Sequence, residues 1–221
     1  MFESTRLLEY LPTVIVPAIF ATIQMLFFSV VISIVLGLIL GFILFNTSER
    51  GLSPNRAVYT VLSRITDMIR SFPTMILIVA LFPLTRMIVG TTIGVWPAIV
   101  SISIGSIPFA GRMTESALNT VNPEVILAAR SFGATNFEII TKIMLVEALP
   151  QLIDNFTILT INMLNMTAMA GAIGAGGLGA VALTYGYQMF DYGIMYFIVV
   201  LLIIIVFLIQ SIGNYLKKKI S

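Results

Sequence analysis

Between Ala18 and Phe45 the chain carries no charged residue. At about 1.5 Å of rise per residue, a helix over this stretch exceeds the roughly 30 Å hydrocarbon core of a bilayer. A soluble fold would have to bury such a helix on every side. The chain has 221 residues, 58% of them hydrophobic and only 10% charged, against about 25% charged in a soluble domain. It has too little polar surface to cover so much apolar surface in water. The class is therefore an all-α integral membrane protein, because a helix satisfies its own backbone inside lipid. Gly37 and Gly41 form a G-x-x-x-G pair within the stretch, which is either a close-packing face or ordinary membrane-helix glycine.

Composition removes whole kinds of chemistry. The chain has neither Cys nor His, so disulfides, thiolate metal sites, Cys nucleophiles and imidazole acid-base catalysis drop out together. No metal or other cofactor is expected. The net charge is +2, and the basic residues sit at membrane flanks. No basic stripe interleaved with aromatics argues for nucleic acid. Glu3 and Glu9 beside Arg6 leave no basic leader region, so a cleaved signal peptide is not expected. Residues 1–17 read as an amphipathic lead-in, with Leu7, Leu8 and Leu11 on one face and Pro12 and Pro17 as punctuation.

Four further spans follow the first, at residues 18–45. Residues 57–84 read as one long helix bent at Pro73, with Arg64, Asp67 and Arg70 outside the core. Pro73 frees a backbone carbonyl, tolerated only where protein buries it or a wet path meets it. Ser71 and Pro73 are therefore either pathway elements or part of a packing kink. Residues 88–110, 152–172 and 193–214 complete the set, and 215–221 is a basic tail. An outside N-terminus puts Arg50, Arg56, Arg64, Arg70, Arg112, Arg130, Lys142 and Lys217 to Lys219 in the cytoplasm. Only Arg6 and Arg86 then lie outside, so the positive-inside rule selects N-out, C-in.

The longest polar-dotted segment, Asn122 to Gln151, falls between the third and fourth spans. Asn122 is a good N-cap, Pro123 suits the first helical position, and Glu124 complements the helix dipole. Gly133 supplies a stop. Thr135-Asn136-Phe137-Glu138 opens a second helix with a capping box. A plain connection could be far shorter, so this helix pair has a purpose, and the topology makes it cytoplasmic.

The other motifs are weaker. Gly174, Gly176, Gly177 and Gly179 lie in a G-x-G-x-x-G pattern, but no strand precedes it, so a dinucleotide site is discounted. Backbone plasticity at the outer membrane edge is the better reading. There is no phosphate-binding G-x-x-x-x-G-K-[ST] loop. Asp154 reads as the cytoplasmic end of a helix, favoured there by the dipole. Asn162, Asn165, Met166 and Met169 recur at helical spacing on one face, which either bonds another helix or lines a path. Met169 is a candidate gate.

At the helix pair the chain resembles the coupling loop of ABC importer permeases, whose pattern is E-A-A-x-x-x-G, nine residues, then I-x-L-P. Ala128, Ala129, Gly133 and Ile143 fit it. Leu127 stands where Glu is usual and Val146 where the first Pro would be. The run Ala168 to Ala180 with Tyr185-Gly186-Tyr187 looks like the permeases of methionine importers, as do Arg70 to Pro73, Pro83 to Gly94 and Ile107 to Arg112. The resemblance covers nearly the whole chain. It implies a type I ABC importer fold with five transmembrane helices, in a bacterial cell membrane. It implies two copies of a cytosolic ATPase subunit, a second copy of this chain, an external substrate-binding lipoprotein and a small-molecule substrate. It also implies roles. Ala128 and Ala129 would allow close approach to the ATPase, Gly133 would set the bend, and Glu124 and Arg130 would pair at the rim. The competing readings are an ion-coupled transporter, which would want a titratable group in mid-membrane, and a non-transporting scaffold.

Overall fold

The computed structural model describes residues 6–220, and among them every regular element is helical. Residues 1–5 of the lead-in lie outside the described residues. Helix α1 (Leu7–Tyr10) passes through a π-wound stretch, Leu11–Ile15, into α2 (Val16–Thr47). The lead-in is thus the first turns of a long helix. Leu7 and Leu11 pack inward, whereas Leu8 is 84% exposed, so the three leucines do not share a buried face.

The segment read as one bent helix is divided instead. It comprises α3 (Arg56–Ser71), α4 (Thr74–Ala80) and α5 (Phe82–Val89). Pro73 has no N–H to donate and pushes the preceding residue out of the helical region. Phe72 is accordingly non-helical, and Pro73 caps α4 with extended dihedrals, φ −57° and ψ 128°. Gly90, at φ +83°, ends α5, so Ile88 and Val89 close that helix rather than opening the next. Helix α6 (Val95–Leu118) then runs through Pro108 and well beyond residue 110.

The polar segment contains α7 (Pro123–Ser131), α8 (Asn136–Glu138), a π-wound stretch Ile139–Met144 and α9 (Leu145–Glu147). Helix α10 (Leu149–Ala170) continues π-wound through Gly171–Ala175, and α11 (Gly177–Val181) and a π-wound Ala182–Gln188 follow. Helix α12 (Tyr192–Ile220) ends the described chain. By length and apolarity alone, Leu7–Thr47, Leu149–Ala175 and Tyr192–Ile220 could each cross a membrane.

The chain forms two compact units. The first comprises Met1–Ile32, Phe72–Gly105 and Thr160–Ser211. Its core gathers Ile15, Ala18, Leu178, Val181, Ile194 and Ile198. The rings of Tyr10 and Tyr185 meet at a tilt beside it, their centroids 4.8 Å apart. Asp191 caps α12 by accepting from the Ile194 N–H at 3.1 Å, and its other oxygen accepts from the Arg6 N–H at 2.9 Å.

The second unit comprises Ser33–Ser71, Ser106–Leu159 and Ile212–Ser221. Here the G-x-x-x-G pair is a close-packing face. A Cβ on Gly37 would collide with Ala110, and one on Gly41 would fall 2.7 Å from the Gly111 carbonyl oxygen. Helix α12 meets α10 in the same manner, since a Cβ on Gly213 would stand 2.9 Å from Thr157 Cγ2. One turn further on, Lys217 pairs with Asp154. Asp154 lies in the second turn of α10, and the sequence does not reveal this partner.

Candidate functional site

The helix pair is built from local signals. Asn122 Oδ1 accepts from the Glu124 N–H at 2.9 Å, starting α7. Gly133, at φ +80°, ends it, and the Ala134 N–H returns to the Ala129 carbonyl at 3.2 Å. This is the left-handed stop that glycine permits. The second helix opens on a complete capping box. Thr135 Oγ1 accepts from the Glu138 N–H at 3.3 Å, and Glu138 Oε2 accepts from the Thr135 N–H at 3.2 Å. Lys142 donates to Glu138 Oε1 at 3.0 Å. The Lys142 ammonium first, and then the two Thr135 donors, pull the Glu138 carboxyl down to about 2.

The pair has two faces of different character. Ala129, Ile139, Met144 and Ala148 turn inward and join Phe45, Leu118 and Leu152 in the core of their unit. Glu124, Leu127, Ala128, Ser131 and Phe132 face outward. Phe132 is 91% exposed, Phe137 74% and Leu127 64%. The two alanines of the motif therefore do different work: Ala129 packs against its own chain, and Ala128 alone is presented. No ion pair joins Glu124 to Arg130 among the described residues. Arg130 lies a helical turn and a half further along and donates instead to the Leu52 carbonyl at 3.2 Å. Neither Phe132 nor Phe137 is a candidate site residue from the sequence, where Phe137 figures only within the capping box. Two aromatics in a polar segment, at the turn between capped helices, are the signal that could have found them.

Along α10, Asn162, Asn165 and Met169 are exposed on one face. Met166 turns away from it, and its Cε would be 3.2 Å from a Cβ on Gly105 of α6. The structure thus separates Met166, which packs, from the other three. Ser71 and Pro73 are exposed, and the Ser71 hydroxyl is spent on the Asp67 carbonyl at 2.7 Å. The Gly-rich run is a tight reversal preceded by helix, not strand. Gly174, Gly176 and Gly177 have φ of 102°, 82° and 77°, which L-residues adopt at a cost. Gly179 serves by size, because its Cβ would stand 2.7 Å from the Ala168 carbonyl carbon.

A charged cluster in the second unit went unread in the sequence. Arg112 of α6 donates to Asp67 of α3 at 2.7 Å, to Glu115 at 2.7 Å and to the Ser63 hydroxyl. Tyr59 donates to the other Glu115 oxygen at 3.0 Å. Glu115 is only 6% exposed, and two donors satisfy its charge.

The second unit thus offers a capped helix pair with an apolar outer face, and the first offers an amide-bearing helix face. Residues 33–221 match the family described as binding-protein-dependent transport system inner membrane component. The chain belongs to this family of bacterial inner-membrane permeases. It is 41% identical over 179 residues to the probable D-methionine transport system permease protein MetI of Vibrio cholerae, covering 81% of this chain and 80% of that one. It is 40% identical over 179 residues to the methionine import system permease protein MetP of Bacillus subtilis, covering 81% of each. Among solved structures, an inward-facing conformation of the MetNI methionine ABC transporter superimposes with a TM-score of 0.93 at 38% identity, over 99% of both chains. The fold is that of type I ABC importer permeases.

Proposed function

We propose that this chain is the permease subunit of an ATP-driven importer that carries methionine across the inner membrane. The outward face of the helix pair carries this reading. An apolar surface on a polar segment that is otherwise capped and satisfied is a surface held for a partner. That partner is a cytosolic ATPase subunit, bound once by each permease in a homodimer. Phe132 and Phe137 are the knobs that enter it, and Leu127 brings apolar contact where the family motif has a carboxylate. Ala128 allows close approach, Gly133 fixes the bend, and Glu124 and Arg130 stand at the rim as separate polar contacts.

The mechanism follows from two-state coupling. ATP binding closes the ATPase pair and carries the helix pair with it, and the spans rock between inward-open and outward-open arrangements. The chain supplies no nucleotide chemistry of its own, since it has no phosphate-binding loop. The spans are five in number, as read from the sequence, N-out and C-in, with α3 to α5 as an interrupted second span and α6 as the third. Asn162, Asn165 and Met169 line the path near the dimer axis, with Met169 as its constriction and Ser71 and Pro73 at its edge. Gly174, Gly176, Gly177 and Gly179 form the outer reversal, where an external binding protein delivers substrate.

Co-purification tests the reading. Phe132→Ala is expected to reduce recovery of the ATPase with the permease at least tenfold, while the permease still inserts. Undiminished recovery in Phe132→Ala and in Phe132→Ala/Phe137→Ala would remove the proposed interface.

A further inference from the structure

The connection between α5 and α6 and the π-wound end of α10 line a small, partly open cavity in the first unit. Ile78, Phe82, Pro97 and Ala170 give it apolar walls, and Thr92 and Ser101 also line it. Ser101 is 1% exposed, and its hydroxyl has no hydrogen-bond partner in the protein. Other hydroxyls on α6 behave differently. Ser103 donates back to the Ile99 carbonyl at 2.6 Å and Thr114 to the Ala110 carbonyl at 2.9 Å. That back-bonding is the usual fate of a hydroxyl within a helix. Ser101 leaves the equivalent Pro97 carbonyl unused.

A sealed hydroxyl without a partner is destabilising, so the cavity has to supply one. The space open to the centre of a water molecule is about 10 Å³. That is roughly what one ordered water requires, and far too little for an amino-acid side chain. We infer that the cavity binds a single ordered water, held by the hydroxyls of Ser101 and Thr92, and that this water serves the hinge of the Gly-rich segment.

The second half rests on the transport reading above. Ile173 (φ −110°, ψ 22°), which lines the cavity, and Gly174 (φ 102°, ψ 9°), next to it in the chain, leave the helical region. The Gly174 carbonyl accepts from the Gly94 N–H at 3.1 Å, which ties the two walls together. A rocking motion that parts the walls breaks that bond. A resident water next to it can take up both freed groups, which removes the usual penalty for opening a buried backbone bond.

Two variants in the purified permease–ATPase complex test this. Ser101→Ala keeps the space and removes one of the water's partners, and it is expected to lower Tm by about 2–4 °C. Ser101→Val fills the water's space, and it is expected to slow ATP-driven methionine uptake by roughly fivefold with ATPase recovery unchanged. A rise in Tm for Ser101→Ala overturns the water, because alanine would then have relieved a dry hydroxyl. So does a structure that resolves ordered solvent elsewhere but has no peak within hydrogen-bond distance of Ser101 Oγ. Wild-type uptake by Ser101→Val, where the wild-type structure shows the water, overturns the hinge alone. Failure of the transport reading is distinguishable. It would show as no ATP-dependent uptake in the wild-type complex, which removes the hinge and leaves the water.

Discussion

Glu138 receives donors from Thr135 and Lys142 around one exposed carboxylate. Lys142 first, and then Thr135, hold its carboxyl at about 2, well below the usual carboxylate range. The sign follows directly. A depressed acid contributes stability above its ordinary value, and that contribution disappears as pH falls through the lowered one. Protection of the Glu138 and Thr135 amides against hydrogen exchange should be constant from neutral pH to about 5 and then decline toward pH 2. Glu138→Gln should abolish that dependence. Gly179 gives a steric prediction at the same scale. Its missing side chain makes room for the Ala168 backbone, which cannot swing aside as a flexible side chain can. Gly179→Val should cost about 3 kcal/mol through overpacking, visible as a lower Tm of the complex. The capping box is legible in the sequence; the glycine spacing announces a turn, but not the close approach of Gly179 to Ala168. Which alanine of the pair faces inward is not legible, because Ala suits a core and a surface equally. The core contacts of Ala129 decide it.

Elements are held together by contacts that the sequence discloses unevenly. The G-x-x-x-G spacing of α2 allows a close-packing face or ordinary glycine; contact with Ala110 to Thr114 of α6, which the spacing does not disclose, makes it the former. The Arg112 cluster announces nothing, since Tyr59, Asp67 and Glu115 are ordinary residues until folding brings α3 against α6. Its energetics are those of a mostly buried ion pair. Removing Arg112 leaves Glu115 sealed with one donor fewer, which costs roughly 3 kcal/mol. Arg112→Gln should therefore lower Tm clearly. Adding Glu115→Gln should recover part of the loss, and the thermal double-mutant cycle measures the coupling. The break at Pro73 shows the opposite limit. Proline says that something happens there. Whether the helix bends or stops depends on whether packing repays the lost bond, and here it stops.

For the whole molecule, the proposed topology puts the helix pair on the cytoplasmic side. A cysteine introduced at Thr135 or Asn136 into this cysteine-free chain should resist impermeant thiol reagents in intact cells and react once the membrane is opened. Labelling from outside would reverse the orientation and leave the ATPase no surface to engage. The membrane class and the family were legible because both rest on long runs and linear motifs. The outward face was only partly legible, because exposure is a property of the packed chain.

The pairing of Lys217 with Asp154 makes the last turns of α12 a fastener rather than a loose end. Asp154 is half-buried, and Gly213 brings the two backbones close just above it. A truncation after residue 216 would strand that carboxylate, whereas an affinity tag appended beyond Ser221 would spare it. Anyone trimming this terminus to aid crystallisation should expect to loosen the bundle from the bottom up, and Asp154→Asn in the shortened chain should restore part of what was lost.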